Sequence, residues 1–126
     1  MNRYGKGAPV AEGTVLTATF EVDSRQFTAL NGGPMYTFSP ATSFIVHCET
    51  QADLDYYWAQ LGALGKANRC AWLDDKFGVS WQTVPKQLME LMSDPDPVKS
   101  GRVMQAMLNM SKIVIAELQL AYDAPA

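Results

Sequence analysis

Alternation of hydrophobic and polar residues, or short runs rich in β-branched and aromatic residues, predicts five β-strands along the chain. Asp23-Ser24 is a turn signal between the first two strands and predicts a hairpin, and the run Asn31-Gly32-Gly33-Pro34 ends it. Residues 1–13, which hold several glycines and a proline, predict a strand remnant followed by a loop. The five predicted strands cover residues 14–22, 26–30, 42–48, 70–73 and 79–84.

Apolar residues recur at helical spacing over residues 51–64 and again throughout the last third of the chain. Thr50 with Asp53 three residues later resembles a capping box, and Gly65 is the predicted C-cap of this helix. Asp96 before Pro97 predicts the start of a later helix, between helices at 85–92 and 113–122. The order β-α-β-β followed by helices indicates an α+β fold.

Length, composition and charge argue against several classes of protein, among them nucleic-acid binders and membrane-spanning proteins. The chain has 126 residues, 48% hydrophobic and 18% charged, which is typical of one globular domain. A net charge of −3 argues against nucleic acid as a partner, because phosphate contacts need a basic surface. No apolar run approaches the ~18 residues of a membrane span. Two cysteines without a CxxC motif, and no signal peptide, predict a cytoplasmic location.

The chain offers few groups for catalysis or metal binding. His47 is the single histidine, so one chain cannot build a site with two histidine ligands. Its neighbour Cys48 should point to the opposite face of the strand, which argues against a catalytic Cys-His pair. Ser43 and His47 share the mixed face of their strand, and Gln82 lies on the mixed face of another. Such faces predict a cup that holds a small molecule.

Ten short motifs, spread over nearly the whole chain, occur in an order typical of one family. They are residues 30–34 (LNGGP), 43–44 (SF), 48–51 (CETQ), 55–58 (DYYW), 72–73 (WL), 75–78 (DKFG), 81–82 (WQ), 84–85 (VP), 94–97 (DPDP) and 102–107 (RVMQAM). In this order they resemble the PhnB-like family of the glyoxalase, bleomycin-resistance and dihydroxybiphenyl dioxygenase superfamily, also called vicinal oxygen chelate proteins. Its members often carry the label 3-demethylubiquinone-9 3-methyltransferase.

The resemblance implies a glyoxalase-like α+β fold, in which βαβββ modules form a cupped mixed sheet, usually in a homodimer. A single domain over residues 1–126 is expected, with a partial first module at 1–34, a second module at 35–85 and C-terminal helices at 86–126. The first module lacks its first strand and helix. Either the chain is truncated at its start, or a partner chain supplies the missing wall by domain swapping.

The resemblance also implies a binding site. Metal-dependent relatives keep a histidine and a glutamate at the positions of Ser43 and Gln82, and neither residue here is a good ligand for a divalent metal. No cofactor is therefore expected, and a divalent metal would need ligands from a partner chain. The expected ligand-binding residues are Asn31, Ser43, His47, Trp72 and Gln82.

The sequence leaves three functions open. In the first, the protein binds a small molecule in the cup without a metal. In the second, it is an enzyme of the superfamily (a lyase, a dioxygenase or the methyltransferase of the label), with His47 as the candidate general base and Gln82 or Asn31 stabilising an oxyanion. In the third, it is an assembly module whose cup is filled by Phe44, Trp72 and Trp81.

Overall fold

The computed structural model describes residues 1–125. The chain folds into two compact units, Met1–Thr37 and Phe38–Ala126, and each is described by itself. Among the described residues, no helix is long and apolar enough to cross a membrane.

The first unit is an antiparallel sheet of three strands, β1 (Asn2–Arg3), β2 (Val15–Val22) and β3 (Arg25–Leu30), in the order β1-β2-β3. Asp23 and Ser24 join β2 to β3 with φ of 50° and 59°, the left-handed conformation of the tightest hairpin turns. The predicted hairpin is confirmed. Residues 1–37 contain no helix.

The second unit begins with a βαβββ module. Its elements are β4 (Ser43–Cys48), α1 (Gln51–Gly62), β5 (Lys66–Ala67), β6 (Trp72–Asp74) and β7 (Ser80–Pro85). The strand order is β4-β7-β6-β5; β4 and β7 are parallel, and the other pairs are antiparallel. The module has the glyoxalase-like α+β topology that the resemblance implied. Its two-residue strand β5 was not predicted, because two residues carry no periodic signal.

Helix α1 begins as predicted and ends earlier than predicted. Thr50 and Asp53 form both hydrogen bonds of the capping box, at 3.1 Å each. The expectation that Gly65 is the C-cap is wrong, because the helix ends at Gly62 with Ala63 as its cap. Gly65 has another role: a Cβ there would overlap the carbonyl oxygen of Asp74. Only glycine lets the chain leaving α1 pass this close to the end of β6.

Three helices follow the module: α2 (Lys86–Met92), α3 (Pro97–Leu108) and α4 (Ile115–Asp123). The side chain of Asp96 accepts hydrogen bonds from the backbone of Val98 and Lys99, which confirms the predicted start of α3. The helices share one hydrophobic core with the module. Its buried members are Cys48, Leu54, Ala71, Val84, Leu88, Val103, Met110, Ile113 and Leu118.

The segment between α3 and α4 is joined to the module by backbone hydrogen bonds. Cys70 and Ala71 adopt φ of 59° and 74° ahead of β6, and their N–H groups donate to the carbonyls of Met110 and Ser111 at 2.8 and 2.9 Å. Left-handed conformations are costly for residues with a side chain. The surrounding contacts therefore hold this bend, which places β6 against the core.

A hydrogen bond from Tyr122 in α4 to Asp94 in the loop before α3 predicts a pH-dependent contribution to stability. The hydroxyl donates to Oδ2 of Asp94 at 2.6 Å. This bond lowers the pKa of Asp94 below its usual 3.8 and raises the pKa of Tyr122 above its usual 10.0. A lowered carboxyl pKa stabilises the fold above pH 3.8, and a raised phenol pKa stabilises it below pH 10.0.

We therefore expect Tyr122→Phe to lower stability by a nearly constant amount between about pH 5 and pH 9. The difference from the wild type should shrink when pH falls through the folded pKa of Asp94 or rises through that of Tyr122. Urea unfolding across this range measures it. A difference that stays unchanged at about pH 3 would contradict the role of the bond. Tyr56→Phe, at an exposed position of α1, is the control, with no expected pH dependence.

Candidate functional site

One face of the second sheet packs against α1, and the other carries the candidate site. Leu73 and Thr83 lie on the α1 side and are fully buried. The opposite side is called the open face here, because Ile45 on it is 50% exposed and His47 is also exposed. By strand register, the open face consists of Ser43, Ile45, His47, Lys66, Trp72, Asp74, Ser80 and Gln82. Val84 shares their register but is buried in the core.

Ser43 and Gln82 form a hydrogen-bonded pair on the open face. Nε2 of Gln82 in β7 donates to Oγ of Ser43 in the neighbouring strand β4 at 3.0 Å. Both side chains are half-buried. The pair leaves the Oε1 of Gln82 as an acceptor and the hydroxyl proton of Ser43 as a donor. A ligand with one donor and one acceptor could therefore bind both groups.

Trp72 lies next to this pair, and His47 lies further along the same face. Trp72 in β6 is the register partner of Gln82 and is half-buried. His47 is the register partner of Val84, four residues beyond Ser43. That spacing is about 13 Å along a strand. The structure thus brings Ser43, Trp72 and Gln82 together and puts His47 at the far end of the open face.

Asn31 belongs to the first unit, where its polar groups form hydrogen bonds to neighbouring parts of the sheet at the end of β3. Its side-chain amide donates to the carbonyl of Val15 at 3.0 Å, and its backbone N–H donates to the carbonyl of Leu16 at 2.8 Å. Its carbonyl accepts a hydrogen bond from the hydroxyl of Tyr4 at 2.6 Å. These bonds give Asn31 a structural role at the end of β3.

A second polar pair on the open face was missed by sequence reasoning. Oγ of Ser80 donates to Oδ1 of Asp74 at 2.9 Å, and Ser80 is 2% exposed. Ser80 is also the register partner of Ser43, so the two pairs are adjacent across three strands. The predicted strands at 70–73 and 79–84 leave Asp74 in the connection between them. Only the pairing of β6 with β7 shows that its side chain shares the face of Gln82.

Cys48 and His47 lie on opposite faces, as their adjacency predicts. Cys48 is buried in the core beneath α1, whereas His47 is exposed. Burial, and secondarily the charge of Asp53, raises the pKa of the Cys48 thiol. A buried thiol with a raised pKa is a weak nucleophile. Within residues 1–125, no group of three or more His, Cys, Asp and Glu side chains is arranged to hold a metal ion.

The aromatic residues expected to fill the cup are divided between the two faces. Phe44 and Trp81 lie on the α1 side, with 5.3 Å between their ring centroids. The indole N–H of Trp81 donates to Asp75 at 3.0 Å, which ties the ring to the turn before β7. Of the three residues, only Trp72 lies on the open face.

Comparison with known proteins agrees with the fold. The model of the family described as 3-demethylubiquinone-9 3-methyltransferase matches residues 1–84. Among solved structures, the chain is similar to a PhnB protein from Bacillus cereus whose name suggests a 3-demethylubiquinone-9 3-methyltransferase. The TM-score is 0.58 and the identity 33%, over 67% of this chain and 74% of that chain. A search of curated proteins found no match.

The βαβββ module and these similarities define a protein of the glyoxalase superfamily. Within that superfamily, the chain belongs to the PhnB-like family, whose model is the 3-demethylubiquinone-9 3-methyltransferase family. The family match ends at Val84, so it covers the first unit and nearly the whole βαβββ module but not α2 to α4.

Proposed function

We propose that the open face binds a small organic molecule without a metal ion. The observation that carries the proposal is the hydrogen bond between Gln82 and Ser43 at 3.0 Å. The family resemblance assigns these positions to metal ligands in metal-dependent relatives. Here they hold a neutral amide and a neutral hydroxyl that bind each other.

The chemistry of these donors does not suit a divalent cation. Proteins bind such ions with imidazole, thiolate and carboxylate groups, together with carbonyl oxygens and water. Of these ligands, the pair offers one neutral carbonyl oxygen, Oε1 of Gln82, and His47 is about 13 Å along the strand from Ser43. The proposed binding therefore involves no metal ion.

Several features of the open face suit an organic ligand. Ile45 and Trp72 supply apolar surface on both sides of Gln82, because they are its register partners on β4 and β6. Gln82 and Ser43 each keep one hydrogen-bonding atom for a ligand. Apolar side chains beside a few fixed polar groups are typical of small-molecule sites.

A fragment screen tests the proposal. Fragments are added to ¹⁵N-labelled protein, and the side-chain amide of Gln82 and the indole N–H of Trp72 are followed by NMR. We expect fragments that shift both signals, and we expect Gln82→Leu to weaken their binding about tenfold, since it removes a polar contact of roughly 1.4 kcal/mol.

The matched control is Gln119→Leu at an exposed position of α4, which should bind the same fragments as the wild type. The proposal fails if no fragment shifts the open-face signals. It also fails if Gln82→Leu binds the fragments as tightly as the wild type does. Circular dichroism shows whether both variants are folded.

We also propose that the protein is a homodimer and that it is located in the cytoplasm. An open sheet edge such as that of β4 needs cover, which supports a second copy of the chain. Light scattering on the purified protein measures the oligomeric state. A monomer across the working concentration range would contradict the dimer.

A further inference from the structure

The carboxylate of Asp74 is held in place on the open face with one oxygen unused. Its Oδ1 accepts a hydrogen bond from Ser80 at 2.9 Å, and Ser80 is 2% exposed. Within residues 1–125, its Oδ2 accepts no hydrogen bond, and Asp74 forms no ion pair. A buried hydroxyl thus fixes the carboxylate, while its second oxygen can accept a bond from a ligand.

Asp74 is the one carboxylate among the open-face residues, and no neighbouring positive charge within residues 1–125 is paired with it. Lys66 in β5 is its register partner and is exposed, but the two form no ion pair within the described part of the chain. Glu49, one residue beyond β4, is paired with Lys86 at 2.7 Å. Ser43, Ser80 and Gln82 are neutral.

Trp72 provides an aromatic surface next to Asp74. The two residues are in the same strand and on the same face, two positions apart, which is about 7 Å. An indole face attracts cations as well as apolar rings. A ligand with a ring against Trp72 could therefore place a cationic group at the free oxygen of Asp74.

We propose that the open face selects arylalkylamines, small molecules that carry a protonated amine a few ångströms from an aromatic ring. Asp74 is the specificity-determining residue, and Ser80 is a positioning residue that orients it. The inference rests on the proposed function, because it names the class of ligand for the same face. A protonated amine and the Asp74 carboxylate attract each other as two opposite charges, whereas an alcohol brings no charge to its bond with Oδ2, so the bond from the amine is the stronger one.

Three matched probes test the charge preference at about pH 7: 2-phenylethylamine, which is protonated, neutral 2-phenylethanol and anionic 3-phenylpropionate. NMR titration gives a Kd for each. We expect the amine to bind about tenfold more tightly than the alcohol. Asp74→Asn, which can keep the bond to Ser80, should remove that preference. Asp123→Asn, which removes a similar charge from α4, should retain it.

If the alcohol or the propionate binds as tightly as the amine, the inference fails while the proposed function stands, since the face would then bind ligands without selecting a cation. Tighter binding of the propionate would assign the preference to Lys66. A preference that survives Asp74→Asn also overturns it. If none of the three probes binds, the inference fails as well, and the Gln82 fragment screen decides separately whether the face binds other molecules.

Discussion

Replacing Gly65 with alanine should destabilise the protein by about 3 kcal/mol, at the upper end of the usual cost of overpacking. The new Cβ would overlap the backbone oxygen of Asp74 and lie 3.0 Å from backbone atoms of Asp75. Backbone atoms cannot rotate away as a flexible side chain can. The chain leaving α1 would have to shift away from the end of β6, which carries Trp72 and Asp74.

Gly62→Ala is the matched control for that prediction. Gly62 is the last residue of α1, and a Cβ there would meet only Leu73, at an ordinary 3.8 Å. Alanine is favoured over glycine in helices, so we expect this variant to gain up to about 0.5 kcal/mol. Urea unfolding of both variants measures the contrast. Equal stability of the two variants would contradict the close approach of Gly65 to β6.

Leu118→Ala should cost about 2–5 kcal/mol, the usual range for removing a fully buried leucine from a core. Leu118 in α4 is 0% exposed and belongs to the core shared by the helices and the βαβββ module. The loss combines the transfer free energy of the side chain with the cavity it leaves. We expect the helices and the module to lose stability together, because one core joins them.

Leu120→Ala in the same helix isolates the effect of burial. Leu120 is 71% exposed, and its replacement should change stability by less than about 0.5 kcal/mol. Thermal and urea unfolding compare the two variants. If Leu118→Ala is as stable as Leu120→Ala, α4 does not pack on the core as described. If it melts α4 while the sheet stays intact, the helices and the module are not one cooperative unit.

Local signals predicted the parts of the fold that local interactions determine. The hairpin follows from the Asp23-Ser24 turn, and the start of α1 follows from the Thr50 and Asp53 side chains. The role of Gly65 could not be predicted, because it depends on a strand end that lies nine residues later in the chain. A tertiary contact, rather than a helix cap, requires glycine there.

The site was predictable to the extent that strand alternation determines it. Alternation placed Ser43 and His47 on one face of β4, and the resemblance singled out Gln82. Their spatial relation depends on the parallel register of β4 and β7, strands that lie on either side of α1 in the chain. That register could not be read from either strand, and it decides that Ser43 contacts Gln82 while His47 does not.

The position of Asp74 on the open face also depends on strand pairing, which the sequence alone does not show. It adjoins a turn, so its residue type and position suggested only a polar connection between strands. Pairing with β7 brings it to Ser80 and onto the open face. Two adjacent polar pairs are a property of three strands together, and no single segment of the sequence contains them.

Native mass spectrometry of the purified protein, compared with its denatured mass and with metal analysis of the same sample, tests metal-free ligand binding most directly. We expect no stoichiometric divalent metal. We also expect that an organic adduct, co-purified or added from the fragment screen, binds the wild type and binds Gln82→Leu about tenfold more weakly. One divalent metal ion per chain, retained in the wild type and lost in Gln82→Leu, would contradict metal-free binding at the open face.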